Sequence, residues 1–344
     1  MLSLDFLAGF TIFLLALIMV VSMVPGLLAG LGSSGIDYDA VAYRTGVILV
    51  EDPGWPVNPP WEQYGRDHTD EIQRMGLAVS KNTPNILLST KVERFFENAS
   101  TDDPFFTPDD YRKRVIFGDI PYSYNFSLNI SNPDGSYELK QAGDPHPPGY
   151  GYIRRVVKIK EPGVAEIGSN VAYQTENPQN PQNFTVRLNF SQLLDPERGP
   201  AYRIDPRTEP VTVNIPISQY LTNPEIGATL KNVTFLKMDP TRPNSRFTRI
   251  PFSYDTKDSN LYILHLDGDS HSLTPGVPVK TSISLVLKPA ATSLFTLDQN
   301  SILDIRFNFE DDSPHTNING TFPYNYDNVD LPPLKTGILE VAIW

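Results

Sequence analysis

The chain has 344 residues, no cysteine, 32 prolines, 22 glycines and a net charge of −12. The acidic balance argues against a nucleic-acid role, since phosphate backbones are bound by basic faces, and zero cysteines exclude a disulfide framework, thiol chemistry and cysteine-ligated zinc. The length suits an apolar anchor plus a head of about two domains of roughly 100–200 residues each, and the 40% apolar content argues against a disordered chain.

Residues 1–31 read MLSLDFLAGFTIFLLALIMVVSMVPGLLAGL, with one charge at Asp5 and none over the 26 residues from Phe6 to Leu31. That run exceeds the roughly 20 residues needed to cross a bilayer as a helix. A cleaved secretory signal would need a basic n-region, a shorter apolar centre and a small-residue cleavage site, and none of these is present. A plain anchor normally carries basic residues on its cytoplasmic side, and nothing basic precedes Phe6. Asp5 must be neutralised, snorkel out or find a cation, because a carboxylate at a helix centre costs about 2.5–3.5 kcal/mol. Pro25-Gly26 predicts a kink or a locally melted turn near the end of the run.

The segment SLDFLAGFTIFLL, with its acidic residue fifth from the chain start, resembles the mature N-terminus of archaeal type IV pilin-like proteins, the kind made with class III signal peptides. The resemblance implies that Asp5 pairs with the free amino terminus of a neighbouring subunit. It also implies that Phe6, Phe10 and Phe13 join an apolar filament core, where Ala8, Gly9 and Ala16 allow close helix approach. The family's basic leader is not in the sequence, which leaves three readings open: Met1 as a processed terminus, a misplaced gene start, or an anchor that is never processed.

Asp37 reads as a helix start, and Ala40, Val41, Val47, Ile48 and Val50 follow a helical face until Asp52-Pro53-Gly54 stops it. PGWPVNPPWE at 53–62, GLA at 76–78, PNILLSTKVERFF at 84–96 and DDYRKRVIFG at 109–118 then follow in an order that resembles the membrane-proximal region of large archaeal pilin-like proteins. Trp55 and Trp61, in a proline-rich loop, read as packing anchors. Lys91–Phe96 and Asp109–Phe117 read as short helices, the second begun by Thr107 or Pro108. Tyr122–Ile130 and Ser136–Lys140 form an expected hairpin about Asn132-Pro133-Asp134-Gly135, and Tyr152–Lys160 is a further strand.

Beyond about residue 170, seven strand-like runs recur between Pro, Asn, Asp and Gly clusters: Phe184–Phe190, Val211–Ile217, Ala228–Met238, Phe247–Tyr254, Leu261–Leu266, Val279–Leu287 and Ile302–Phe309. Their rhythm suggests an immunoglobulin-like sandwich. The expected fold class is thus a long hydrophobic N-terminal α-helix plus a β-rich globular head, made of an α/β membrane-proximal layer and an immunoglobulin-like β-sandwich. The expected boundaries are 1–52 for the helix, 53–168 for the α/β domain, completed by 334–344, and 169–333 for the sandwich.

Seven sequons, at Asn98, Asn125, Asn129, Asn183, Asn189, Asn232 and Asn319, exceed the roughly three that composition gives by chance and favour an exported head bearing N-linked glycans. The five histidines lack metal-ligand spacing, and no nucleophile elbow, phosphate loop or dinucleotide fingerprint is present. Asp267-Gly268-Asp269-Ser270-His271 and Glu310-Asp311-Asp312 read as solvated turns rather than ion sites, since neither completes a calcium loop. The expectation is a non-enzymatic, cofactor-free structural subunit of an archaeal pilus-like filament, a homo-oligomer held in the membrane before assembly and extracellular afterwards. The alternative is a membrane-anchored minor pilin, or an archaellum-associated or surface-layer-interacting protein with a binding head.

Overall fold

The computed structural model describes residues 4–32, 37–99, 101–117, 120–167, 183–250, 261–268, 278–310, 320–324 and 333–344; within 4–32 the side chains described are those of 6 and 9–22. Helical backbone runs over α1 (Leu4–Gly32) and α2 (Tyr38–Glu51). The Asp37 carboxylate caps α2 by accepting from the Ala40 amide at 3.0 Å, and the helix ends at Asp52, which is extended. Shorter helices are α3 (Ser89–Phe95) and α4 (Pro108–Tyr111), the latter continuing as a π turn over Arg112–Ile116. Thr107 and Asp110 form a capping box at the start of α4.

The strands are β1 (Ile86–Leu88), β2 (Tyr124–Ser131), β3 (Tyr137–Gly143), β4 (Gly151–Lys160), β5 (Val164–Glu166), β6 (Asn183–Asn189), β7 (Val211–Ile215), β8 (Ala228–Met238), β9 (Thr248–Arg249), β10 (Tyr262–Leu266), β11 (Pro278–Val279), β12 (Ile283–Leu287), β13 (Ile302–Phe309), β14 (Gly320–Tyr324) and β15 (Lys335–Ile343). They form three sheets, ordered β1-β4-β15-β2-β3, β10-β12-β7-β5 and β11-β8-β13-β6-β14, with β9 on β8. All three are mixed, because β1 pairs parallel with β4, β5 with β7, and β14 with β6.

Alternation explains the first sheet. Tyr124, Phe126, Leu128 and Ile130 turn to one face of β2 and are buried, while Asn125 and Asn129 turn to the other. On the same face of the sheet, Phe126 meets Phe95 and Tyr111, while α2 lies over β4 and β15 with its Ala42, Thr45, Gly46, Leu49 and Val50 covered. Gly46 permits the contact: a Cβ there would stand 2.9 Å from Ile153 Cγ2. One core joins this sheet to the helices. A second core is shared by the other two sheets.

These facts correct the expected fold class. Instead of an antiparallel immunoglobulin-like sandwich, β5 and β14 join the second and third sheets in parallel, and the expected Val279–Leu287 strand breaks into β11 and β12. Of Phe247–Tyr254, β9 is the described strand, and 251–254 lie outside the described residues. The long hydrophobic membrane helix is corrected as well: no helix among the described residues is long and apolar enough to cross a membrane.

Candidate functional site

The sites expected from sequence lie in three separate places. In α1, Phe6, Phe10, Ile12, Phe13, Leu14, Leu15, Leu17, Ile18, Met19, Val20 and Val21 are between 39% and 69% exposed. Gly9 and Ala16 are exposed too, and nothing stands within 4 Å of a Cβ built on Gly9. Phe6 and Phe10 stack on each other with centroids 6.4 Å apart. The side chains of Asp5, Ala8, Pro25 and Gly26 lie outside the described residues.

The sequons differ in setting. Asn98 is exposed in a turn with φ 54°, and Asn129 is exposed on the open face of the first sheet. Asn125 is half-buried and its Nδ2 donates to Asp144 O at 2.9 Å. Asn183 and Asn232 lie opposite Asn308 from either side across β6, β13 and β8, and Asn308 Nδ2 donates to Asn232 Oδ1 at 2.7 Å. Asn189 Oδ1 accepts from Ser191 Oγ, the hydroxyl of its own sequon, at 2.8 Å. Asn319 lies outside the described residues.

The third place is the centre of the first core, where the ordered motifs of 53–118 converge. Trp61 is fully buried and its Nε1 donates to Gly76 O at 2.9 Å. A Cβ on Gly76 would stand 2.0 Å from Asp52 O, and one on Gly54 would stand 2.2 Å from the Trp61 ring. Leu77 and Ala78 donate to Leu49 O and Asp52 O, stitching the GLA segment to the end of α2. Lys91 closes the arrangement from α3: its buried Nζ donates to Pro53 O at 2.7 Å and to Ala78 O at 3.0 Å. Trp55 departs from its expected anchoring role, because it is 48% exposed, in contrast to the fully covered Trp61; its backbone, bonded to Arg74, holds the loop instead.

Sequence reasoning missed Glu62, which is 3% exposed. Both its carboxylate oxygens are buried without a hydrogen bond among the described residues. Burial pushes its carboxyl up, with the Lys91 ammonium pulling back, and burial pushes the Lys91 ammonium down. Glu62 lies under a cleft of about 410 Å³ lined also by Glu93, Arg94, Glu97 and Glu161. The other three carboxylates are paired, Glu93 with Lys140, Glu97 with Arg94 and Glu161 with Lys335. No group of three metal-ligating side chains occurs among the described residues. A second buried pair joins the ends of the two cores, Lys160 Nζ donating to Glu209 Oε1 and Oε2 at 2.6 and 2.8 Å. Nothing in either spacing announces these pairs, because each contact closes a long loop.

The Asp267 turn has a structural use. Its carboxylate accepts from the amides of Lys280, Thr281 and Ser282 at 2.9, 2.6 and 3.1 Å, which spends the oxygens that a cation would need. Asp269, Ser270, His271, Asp311 and Asp312 lie outside the described residues. No family model, curated protein or solved structure matches the chain.

Proposed function

We propose that the chain is a structural subunit of an archaeal type IV pilus-like extracellular filament, assembling through its apolar N-terminal segment and displaying the β-rich head outward as a glycosylated surface. One observation carries the reading. The described side chains of α1 from Gly9 to Val21, apolar apart from Thr11, are exposed on every side of the helix, and each square ångström of such surface left in water costs roughly 25 cal/mol. Equivalent helices of neighbouring copies would cover all sides at once, and the small residues Gly9 and Ala16 suit close approach. The resemblance of SLDFLAGFTIFLL to pilin-like termini supports the same reading. In it, lipid covers the segment before assembly, Asp5 meets an amine of the next subunit, and no cofactor or catalytic step is involved.

Shearing cells that make the protein, then examining the released fraction by electron microscopy and peptide sequencing, tests the proposal. Polymers containing this chain are expected, and Asp5→Ala should lower their yield at least several-fold while leaving the chain in the membrane fraction. Recovery of the chain only as a detergent-extracted monomer would overturn the filament reading in favour of a membrane-retained minor pilin or archaellum-associated protein with a binding head.

A further inference from the structure

The first sheet has helices on one face and solvent on the other. Register places Leu139, Asn129, Ile338 and Val156 side by side on the solvent face, one residue from each of β3, β2, β15 and β4. Three inter-strand gaps of roughly 4.8 Å make this row about 14 Å wide. Leu139 is 59% exposed, Val156 68% and the adjoining Tyr137 75%. Asn129 interrupts this apolar row, and the Gln141–Ser127–Glu340–Arg154 row beside it is polar, so whatever lies on the row must suit both apolar side chains and a polar root.

The asparagine in the middle of the strip points to what covers it. Asn129 begins the sequon Asn129-Ile130-Ser131, and its side chain is exposed, with no hydrogen bond to another described residue. A flat protein partner pressed on this row would bury the Asn129 amide between Leu139 and Ile338, and an unpartnered amide so buried costs about 1–3 kcal/mol. A sugar chain rooted on that amide has no such cost. Its C–H faces can lie on Tyr137 and Leu139, leaving its hydroxyls to water.

We infer that Asn129 carries an N-linked oligosaccharide that folds back over the open face of the first sheet and covers the Leu139–Ile338–Val156 row. This rests on the proposed export of the head to a glycosylating surface, and it singles out one sequon by its setting. Attachment forms a bond from Asn129 Nδ2 to the anomeric carbon of a phosphate-activated oligosaccharide and breaks that carbon's bond to the phosphate oxygen. The phosphate and the amide proton leave. Asn125, four residues earlier, is the contrasting case: its Nδ2 is bonded to Asp144 O in a groove with Gly143 and His146, so it stays unmodified.

The test uses the full chain made in a host that attaches N-linked glycans, with Asn129→Gln, Asn98→Gln and enzymatic deglycosylation as comparisons. Site-resolved mass spectrometry should find Asn129 occupied and Asn125 bare. Hydroxyl-radical labelling of Tyr137 should rise several-fold in Asn129→Gln and after deglycosylation, and stay unchanged in Asn98→Gln. A bare Asn129 beside an occupied Asn98 overturns the inference while leaving the exported head standing; bare asparagines at both overturn the two together. An occupied Asn129 with Tyr137 labelling unchanged after deglycosylation also overturns it, because the sugar then does not lie on the face.

Discussion

Lys91 is the residue on which the first core turns, because one ammonium holds two loop carbonyls inside a site otherwise filled by Trp61, Leu77 and Val92. Lys91→Met keeps the apolar stem but strands both carbonyls and removes the ammonium whose charge offsets the burial of Glu62, so a loss of about 3 kcal/mol in chemical denaturation is expected. Glu62 makes the same site pH-dependent. Its folded carboxyl lies above the ordinary 4.5, so between 4.5 and that raised value the folded chain holds more protons than the unfolded one, and stability falls as pH climbs. Lys91 gives the opposite slope at alkaline pH: it lies below the ordinary 10.5, the unfolded chain binds more protons there, and stability rises toward 10.5. Glu62→Gln should flatten the acid-side slope and, by removing the carboxylate that holds the Lys91 ammonium up, widen the alkaline one; a profile identical to the parent's would show that Glu62 does not titrate in that window. Legibility at this scale was uneven. The proline-rich loop correctly signals a buried indole at Trp61, but the same signal misleads at Trp55, since composition cannot say on which side of a loop a ring falls. The partnership of Glu62 with Lys91 was illegible, because charged residues read as surface until the fold closes over them.

Among the elements, the short helix at Pro108 was legible for a local reason: Thr107, Pro108 and Asp110 carry the start signal within four positions, and the structure uses all three. Thr107→Ala should therefore cost about 1 kcal/mol, seen as a small drop in Tm. Gly76→Ala should cost clearly more, at the upper end of the roughly 1–3 kcal/mol typical of overpacking, because the added Cβ meets backbone at Asp52 O that cannot swing away. Finding Thr107→Ala the more damaging would mean that the GLA segment can move off α2. The strands divide along similar lines. Alternation marks β2, β4, β8 and β13, whose two faces meet different surroundings. β5 has too few residues to alternate, and β14 contains Pro323, which argues against a strand unless it sits at an edge. Both are edge strands, paired in parallel to one neighbour, and their absence from the sequence reading is what made the remaining runs resemble an immunoglobulin-like set.

At the scale of the molecule, two cores meet through a short junction, and the last strand belongs to the first of them. β15 lies between β4 and β2, so residues 335–343 complete a sheet whose other strands all precede residue 161. Leu339, Val341 and Ile343 are each 1% exposed or less, and burying three such side chains contributes roughly 5–9 kcal/mol. That is comparable to the whole stability of a domain, about 5–15 kcal/mol. The junction is smaller: Lys160 at the end of β4 bonds Glu209 and Arg203 O, and replacing a buried ion pair by solvent returns much of its Coulomb energy as hydration. Deleting residues 335–344 should therefore unfold the first sheet without taking the second core with it. Hydrogen exchange read by mass spectrometry should show protection lost over β2 and β4 and retained over β7, β8, β12 and β13. Loss over all six strands would show that the Lys160–Glu209 contact and its surroundings weld both cores into one cooperative unit, and that the long return of the chain to its first sheet fastens the whole head.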